Sequence, residues 1–218
     1  MKKKILVACL CVALAVLTIA GTTLAYLTSK DTVTNTFTVG NVSITLDEVQ
    51  VNPDGTAVTP PARVKDNSYK LIPGQSYTKD PTVHVTAKSE DSWIFVKVEN
   101  GIAALEPASS ADYKTIADQI SAKGWKLLTK DVDGNNVTGV YYKEYSTSDT
   151  QQDLGVFENF KIANDANTRT GGDGTTVIWN TINESNKPTV KVNAYDIQKE
   201  GFNTAAAAWA EISNTYQG

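Results

Sequence analysis

Trp93-Ile94-Phe95-Val96-Lys97-Val98-Glu99 decides the fold class of this chain. Successive side chains of a strand point to opposite faces. Ile94, Val96 and Val98 therefore share one face, and Trp93, Phe95 and Lys97 the other. Both faces are apolar at the start, so the segment is expected as a central strand with one covered end. The same two-residue period recurs on either side of it. Upstream, Thr82–Ala87 alternates as a strand, and Val42, Ile44 and Leu46 form an apolar face broken by Ser43 and Thr45. Further upstream, Val33, Asn35, Phe37 and Val39 alternate with three threonines. The parity changes at Gly40-Asn41, as at a bulge or bend.

Downstream, Trp125–Thr129 and Val140–Tyr145 are expected to form a hairpin around Asp131–Asn136. Further strands are expected at Val156–Ile162, Thr176–Trp179 and Thr189–Gln198. Turns fall at Asn52–Gly55, Thr59–Pro61 and Leu71–Gln75, and a polar, Gly-rich loop at Asn164–Gly174. One stretch has a different period. Tyr113, Ile116, Ala117 and Ile120 stand at helical spacing, which predicts a helix over 110–123, capped by Ser109 or Ser110 and ended by Gly124. A second helix is expected over Ala205–Ile212, with Asn203 as its cap. Short strands, turn clusters and one or two short helices define an all-β chain, a jelly-roll or Ig-like β-sandwich. The pattern leaves those two topologies open.

The N-terminus has a separate logic. Lys2, Lys3 and Lys4 precede an apolar run from Ile5 to Ala20, and Gly21-Thr22-Thr23-Leu24-Ala25 follows. A charged start, a short apolar stretch and small residues at a cut site make a signal peptide helix over 1–25. Cleavage is expected between Ala25 and Tyr26, leaving a single β-sandwich domain over 26–218, secreted and without a membrane segment. Leu6-Val7-Ala8-Cys9 also has the form of a lipobox. Only four apolar residues precede Cys9, and cutting there would leave most of the apolar run on the chain, so a chance match is the better reading.

Composition excludes several chemistries. Both cysteines, Cys9 and Cys11, lie in the leader, so the processed chain has no disulfide, thiol nucleophile or thiolate ligand. The remaining length can bury a core without such staples. Losing the three leader lysines, from 20 basic residues against 24 acidic, takes the net charge from −4 to −7. An acidic exterior repels nucleic acid and anionic lipid. His84 is the only histidine, and no HExxH occurs, so hydrolytic zinc has little to bind. A Ser-His-Asp triad would have to use His84. Flanked by Val83 and Val85, it is expected as an exposed strand residue facing away from them.

The remaining motifs are weak. Asp131-x-Asp133-x-Asn135 resembles half of a calcium loop, but its twelfth position is Tyr142 and its flanks read as strands, so a plain hairpin loop with Gly134 at the turn is expected. Weak calcium binding there stays open. Asp47-Glu48 and Glu90-Asp91 are adjacent pairs whose members face opposite ways on a strand. Trp93, Trp125, Trp179 and Trp209 are expected as core or edge aromatics, a sugar-stacking platform being the alternative. No P-loop or GxSxG is present. The residues indicate no catalytic, cofactor-binding or metal-binding set.

Gly21–Thr28 followed by Asn35–Val42 resembles the SipW-dependent signal peptide and its attached first strand. Proteins with this start include the TasA and camelysin (CalY) family of Gram-positive biofilm matrix proteins. Leu71–Pro81 and Ala194–Phe202 are similar to members of that family as well. The resemblance implies a jelly-roll-like sandwich, processing by a dedicated signal peptidase, and assembly into extracellular fibres with itself or related matrix subunits. It also implies that the segment freed by cleavage, Tyr26 to Val39, adds as a strand to the next subunit, with Val33, Phe37 and Val39 as its apolar side and Gly40 as the bend. The helix over 110–123 is then an insertion. Camelysin is classed as a metalloprotease; this chain has no recognisable zinc motif, so that activity is not carried over, and a camelysin-like metalloendopeptidase is kept as the runner-up reading. A monomeric adhesin or carbohydrate-binding module is a further alternative.

Overall fold

The computed structural model describes residues 41–183 and 185–216. Ala25, Tyr26, Val33, Phe37, Val39 and Gly40, and with them the expected leader and N-terminal strand, lie outside the described residues. The elements in chain order are β1 (Ile44–Val49), β2 (Arg63–Val64), β3 (Ser76–Thr78), β4 (Thr82–Val85), β5 (Ser92–Asn100), α1 (Ile116–Ala122), β6 (Lys126–Lys130) and β7 (Asn136–Tyr145). They continue with β8 (Gln152–Gly155), β9 (Asn159–Lys161), α2 (Ile178–Thr181), β10 (Val190–Gln198) and α3 (Ala205–Thr215). The chain is an all-β sandwich. One sheet has the order β2-β1-β4-β8, the other β10-β5-β7-β6, and β3 pairs with β9. All pairings of the three sheets are antiparallel.

β5 is the central strand its sequence predicts, lying between β10 and β7. Its two apolar faces feed two separate cores. Ile94, Val96 and Val98 join Val83, Val85, Tyr141, Phe157 and Phe160 between the sheets. Trp93 and Phe95 join Leu128, Val140, Trp209 and Ile212 on the outer face. α3 covers that outer face, so the covered end of β5 lies under the C-terminal helix. Thr204 caps α3, its hydroxyl accepting from Ala207 N at 3.2 Å, one residue after the expected Asn203.

Three expectations change. The helix expected over 110–123 is confined to α1, and Thr115 rather than Ser109 or Ser110 is its cap. Ser109 is drawn into the loop instead, accepting from Thr115 N and donating to Asp118. Tyr113 falls outside the helix because its hydroxyl donates to buried Glu106 at 2.6 Å. That carboxylate also accepts from Ile116 N and Asn100 Nδ2, so it pins the insertion to the end of β5. Gly124, at φ +80°, ends the helix as expected. Of Val156–Ile162 only Asn159–Lys161 is a strand, β9, which pairs with β3, and Val156 and Phe157 are buried in the link from β8. Thr176–Trp179 does not pair as a strand. Asp173 accepts from the Thr175 and Thr176 amides, and the chain turns into α2.

Candidate functional site

The two long edges of the sandwich are finished differently. On one side the sheets are tied together. Trp125, 2% exposed, donates from Nε1 to Gly155 O at 2.9 Å, joining the β6 and β8 sides. Gln119 of α1 donates to Asn159 O and accepts from Glu158 N, and Lys123 pairs with Glu158 at 2.7 Å. On the other side, β1 and β10 flank a groove of about 940 Å³. Leu46, Leu71, Phe160, Ile182, Val190, Val192 and Ala194 supply its apolar lining, and Tyr69, Trp179 and Tyr195 its aromatic lining.

β10 presents its backbone to this groove. The register with β5 is continuous, from Val190 opposite Asn100 to Gln198 opposite Ser92. Gly101 N donates to Thr189 O, and Lys199 N to Asp91 O, both at 2.8 Å. Odd-numbered residues therefore bond to β5 across the whole strand. The N–H and C=O groups of Val190, Val192, Ala194 and Asp196 point the other way, to an edge with no strand partner among the described residues. The side chains of Val190, Val192 and Ala194 pack against the inter-sheet core. Such an edge is a template for another strand.

The β1 wall of the groove carries charge, but the charge is compensated. Glu48, 4% exposed, pairs with Lys79 and accepts from Asn67 Nδ2 at 3.0 Å. Asp47, its neighbour, faces the other way as expected, toward Arg63 and His84. Tyr69 is held by donation to Thr78 O at 3.0 Å, and burial, with Glu48 and Asp80 nearby, pushes its phenol well above the usual range.

One polar group near the groove is not compensated. Asp196 points to the inner face at the end of β10, its carboxylate near the Ser92 hydroxyl and the Ile197 amide but without a hydrogen bond of ordinary geometry. Ser92 Oγ and Tyr145 Oη are likewise buried and unpartnered. Ser92 pairs with Tyr145 on one side and Gln198 on the other, which puts the three side chains on the same face at one end of the sheet. Burial raises the Asp196 pKa above the ordinary carboxylate range, and nearby Ser92 offsets only part of this.

His84 is not the exposed strand residue expected from its sequence. It does face away from Val83 and Val85, but its side chain is only 16% exposed. Nδ1 lies 2.7 Å from Asp153 Oδ1 and Nε2 2.9 Å from Asp47 Oδ1, tying β4 to both neighbouring strands. Burial lowers its pKa, but the hydrogen bonds to Asp153 and Asp47 outweigh burial and hold it above the ordinary value. With each ring nitrogen facing a carboxylate, no lone pair is left for a metal. Among the described residues no group of three His, Cys, Asp or Glu side chains is placed to hold one ion. The Asp131 carboxylate accepts from the Asp133 and Asn135 amides, so the loop uses its own donors. Trp93, Trp125 and Trp209 are buried, and Trp179 is half-buried beside the groove.

The described residues form an antiparallel β-sandwich with a groove between β1 and β10 along one edge. Residues 1–62 match the family described as camelysin metallo-endopeptidase. This bears out the resemblance to the TasA and camelysin family drawn from the N-terminal residues. The match ends in the loop between β1 and β2, before most of the sandwich. No curated protein and no solved structure matches the chain. The described donors do not fit the metal that the family description implies. No helix among the described residues is long and apolar enough to cross a membrane.

Proposed function

We propose that this chain is a secreted structural protein, a subunit of extracellular matrix fibres. A SipW-type signal peptidase releases it at Ala25–Tyr26, and it polymerises by donating residues 26–39 to the next subunit. The observation that carries this reading is the free backbone edge of β10 beside an apolar groove. A strand added there completes the sheet through main-chain hydrogen bonds, and its alternate side chains fill the groove. Val33, Phe37 and Val39 supply such side chains, and Gly40 the bend from which the segment leaves its own subunit.

Size-exclusion chromatography and electron microscopy of protein starting at Tyr26, beside protein starting at Gly40, test the reading. The longer chain forms fibres and the shorter stays monomeric. Fibres from the shorter chain would place the interface elsewhere. The description of the matched family favours a second reading, a metallopeptidase. Chelator-sensitive proteolysis by the purified protein, abolished by His84→Ala, would establish it. The ligand geometry around His84 supports the opposite outcome.

A further inference from the structure

We propose that this chain cross-links itself: the side chains of Lys79 and Asn67 join in an intramolecular isopeptide bond, with Glu48 carrying the protons and ammonia released. Three functional groups meet at the β1 wall of the groove. Lys79, directly after β3, places Nζ 2.5 Å from Glu48 Oε2. Asn67, in the loop between β2 and β3, places Nδ2 3.0 Å from Glu48 Oε1. One carboxylate of β1 therefore touches an amine with one oxygen and a primary amide with the other. Among the described residues Lys79 is the only buried lysine, 8% exposed, and its partner Glu48 is buried as well. Desolvation offsets most of the attraction between two buried charges, so such a pair is a weak source of stability. A buried amine, carboxyl and amide in mutual contact are, however, the complete set of groups for an amide exchange.

The amide is held as an electrophile. Asn67 Oδ1 accepts from Val51 N at 2.9 Å, and Nδ2 also donates to Val49 O at 2.8 Å. These partners fix which end of the amide is oxygen and aim its nitrogen at Glu48. The Val51 N–H stands where negative charge collects on Oδ1 during attack, as an oxyanion donor does. Asp80, the neighbour of Lys79, accepts from Val49 N at 2.6 Å, which locks the amine side of the site to the end of β1. Tyr69 lies against Asn67 and Glu48, and its ring packs edge-on to Tyr77 and Phe160, with centroids 5.8 and 5.1 Å apart. An apolar, aromatic surround favours an uncharged amine and acid over separated charges. Glu48, Asn67, Tyr69 and Lys79 all line the groove, so the released ammonia has a way out.

The step balances within these three residues. The lysine ammonium passes one proton to Glu48 Oε2, leaving a neutral amine beside a carboxylic acid. The Nζ lone pair attacks Asn67 Cγ, and the C=O electron pair moves onto Oδ1. Glu48 gives its proton to Nδ2 and takes a second proton from Nζ. The Cγ–Nδ2 bond breaks with its electron pair on nitrogen, and the carbonyl re-forms. Ammonia leaves with the proton then on Glu48, as ammonium, and the carboxylate is restored. One C–N bond has formed and one has broken, nothing is oxidised or reduced, and no co-reactant enters. Fixed contact of amine, acid and amide is what makes so sluggish an exchange feasible. The product ties the β2–β3 loop to the end of β3 and closes a ring around the Leu71–Gln75 turn. It lies within one chain, so it does not depend on the fibre reading.

Mass spectrometry of the protein starting at Tyr26 tests this. Its intact mass is one ammonia below the mass of its sequence. Trypsin then yields a branched peptide in which residues 66–70 are joined to residues 71–88, uncut after Lys79. Lys79→Arg and Glu48→Gln each abolish the ammonia loss and release residues 66–70 as a linear peptide. Glu48→Gln keeps the size of the side chain and its two hydrogen-bonding ends but cannot relay protons. The wild-type masses decide the question even where a variant fails to fold. Wild-type protein of full sequence mass, with residues 66–70 and 71–79 released as separate linear peptides, overturns the proposal. So does an ammonia loss that maps elsewhere, such as a succinimide at Asn100-Gly101. A branched peptide from Glu48→Gln in unchanged yield overturns the part given to Glu48.

Discussion

The tied and open edges of the sandwich belong to the same two sheets and differ in what crosses between them. At the tied edge, Trp125, Gln119 and Lys123 bridge them with directed hydrogen bonds. At the open edge, β1 and β10 are separated by a groove lined by half-buried valines, leucines and aromatics. Burial and polar pairing thus make one edge a closed part of the domain. Among the described residues, the other retains backbone groups with no strand partner and partly exposed apolar side chains, which are the features a second strand can use. The difference teaches where stability and assembly should separate.

The largest effect should come from cutting the tied edge. Trp125→Ala removes a fully buried ring and orphans the Gly155 carbonyl. A loss of about 3–5 kcal/mol is expected in denaturant unfolding, the usual range for a buried aromatic. A loss under about 1 kcal/mol would mean that the edge is not closed by this side chain. Next comes the anchor of the insertion. Glu106→Ala leaves Tyr113 Oη, Asn100 Nδ2 and Ile116 N without their acceptor. About 2–3 kcal/mol is expected, with faster amide exchange in α1. Unchanged exchange there would show that α1 is held by its apolar contacts alone.

At the open edge the ranking should reverse. Val192→Lys adds a charge to the half-buried floor of the groove. Monomer stability should shift by about 1 kcal/mol or less, because a long side chain can lead its charge out to water. Fibre formation should be lost. A variant that unfolds the monomer would erase the distinction between the edges.

The smallest effect concerns His84 on the outer face. Its folded pKa is raised, so its contribution is complete below the ordinary value of about 6.5 and is lost as pH rises through the folded value. Asp153 is lowered by its hydrogen bonds from His84 and Gln151, so its share is lost as pH falls from about 3.8 through the folded value. Asp47, with burial opposed by His84 and Arg63, is lowered as well and behaves like Asp153. The clamp is therefore strongest between about pH 4 and pH 6.5. His84→Ala should cost about 1 kcal/mol or less at pH 6 and nearly nothing at pH 9, as suits a partly exposed pair. An equal cost at both pH values would show that the imidazole acts by packing only.

Much of this architecture is legible in the chain. Alternation in Trp93–Glu99 identifies the central strand and its two apolar faces, because the two-residue period is local. Gly124 and Gly134 mark a helix end and a hairpin turn, because both positions need positive φ. The hairpin of β6 and β7 stands where the turn residues put it. Val156–Ile162 illustrates the limit. Its alternation is real, but only Asn159–Lys161 pairs, with β3, while β8 just before it joins another sheet, and local period carries no information about which sheet a strand joins.

Local pattern settles the class: an all-β chain whose strands declare their inward faces, with residues 1–62 that match the camelysin family. It also held an unread sign of the inward carboxylate on β10, since Asp196 continues the inward parity of Val190, Val192 and Ala194. Tertiary structure alone decided the rest. Whether a strand has one neighbour or two depends on residues distant in the chain, so β10, which among the described residues pairs only with β5, takes its place at the edge through that long-range pairing. His84 is clamped rather than exposed for the same reason. Its acceptors, Asp47 and Asp153, stand 37 and 69 residues away, and only the pairing of β1 and β8 with β4 brings them within hydrogen-bond range.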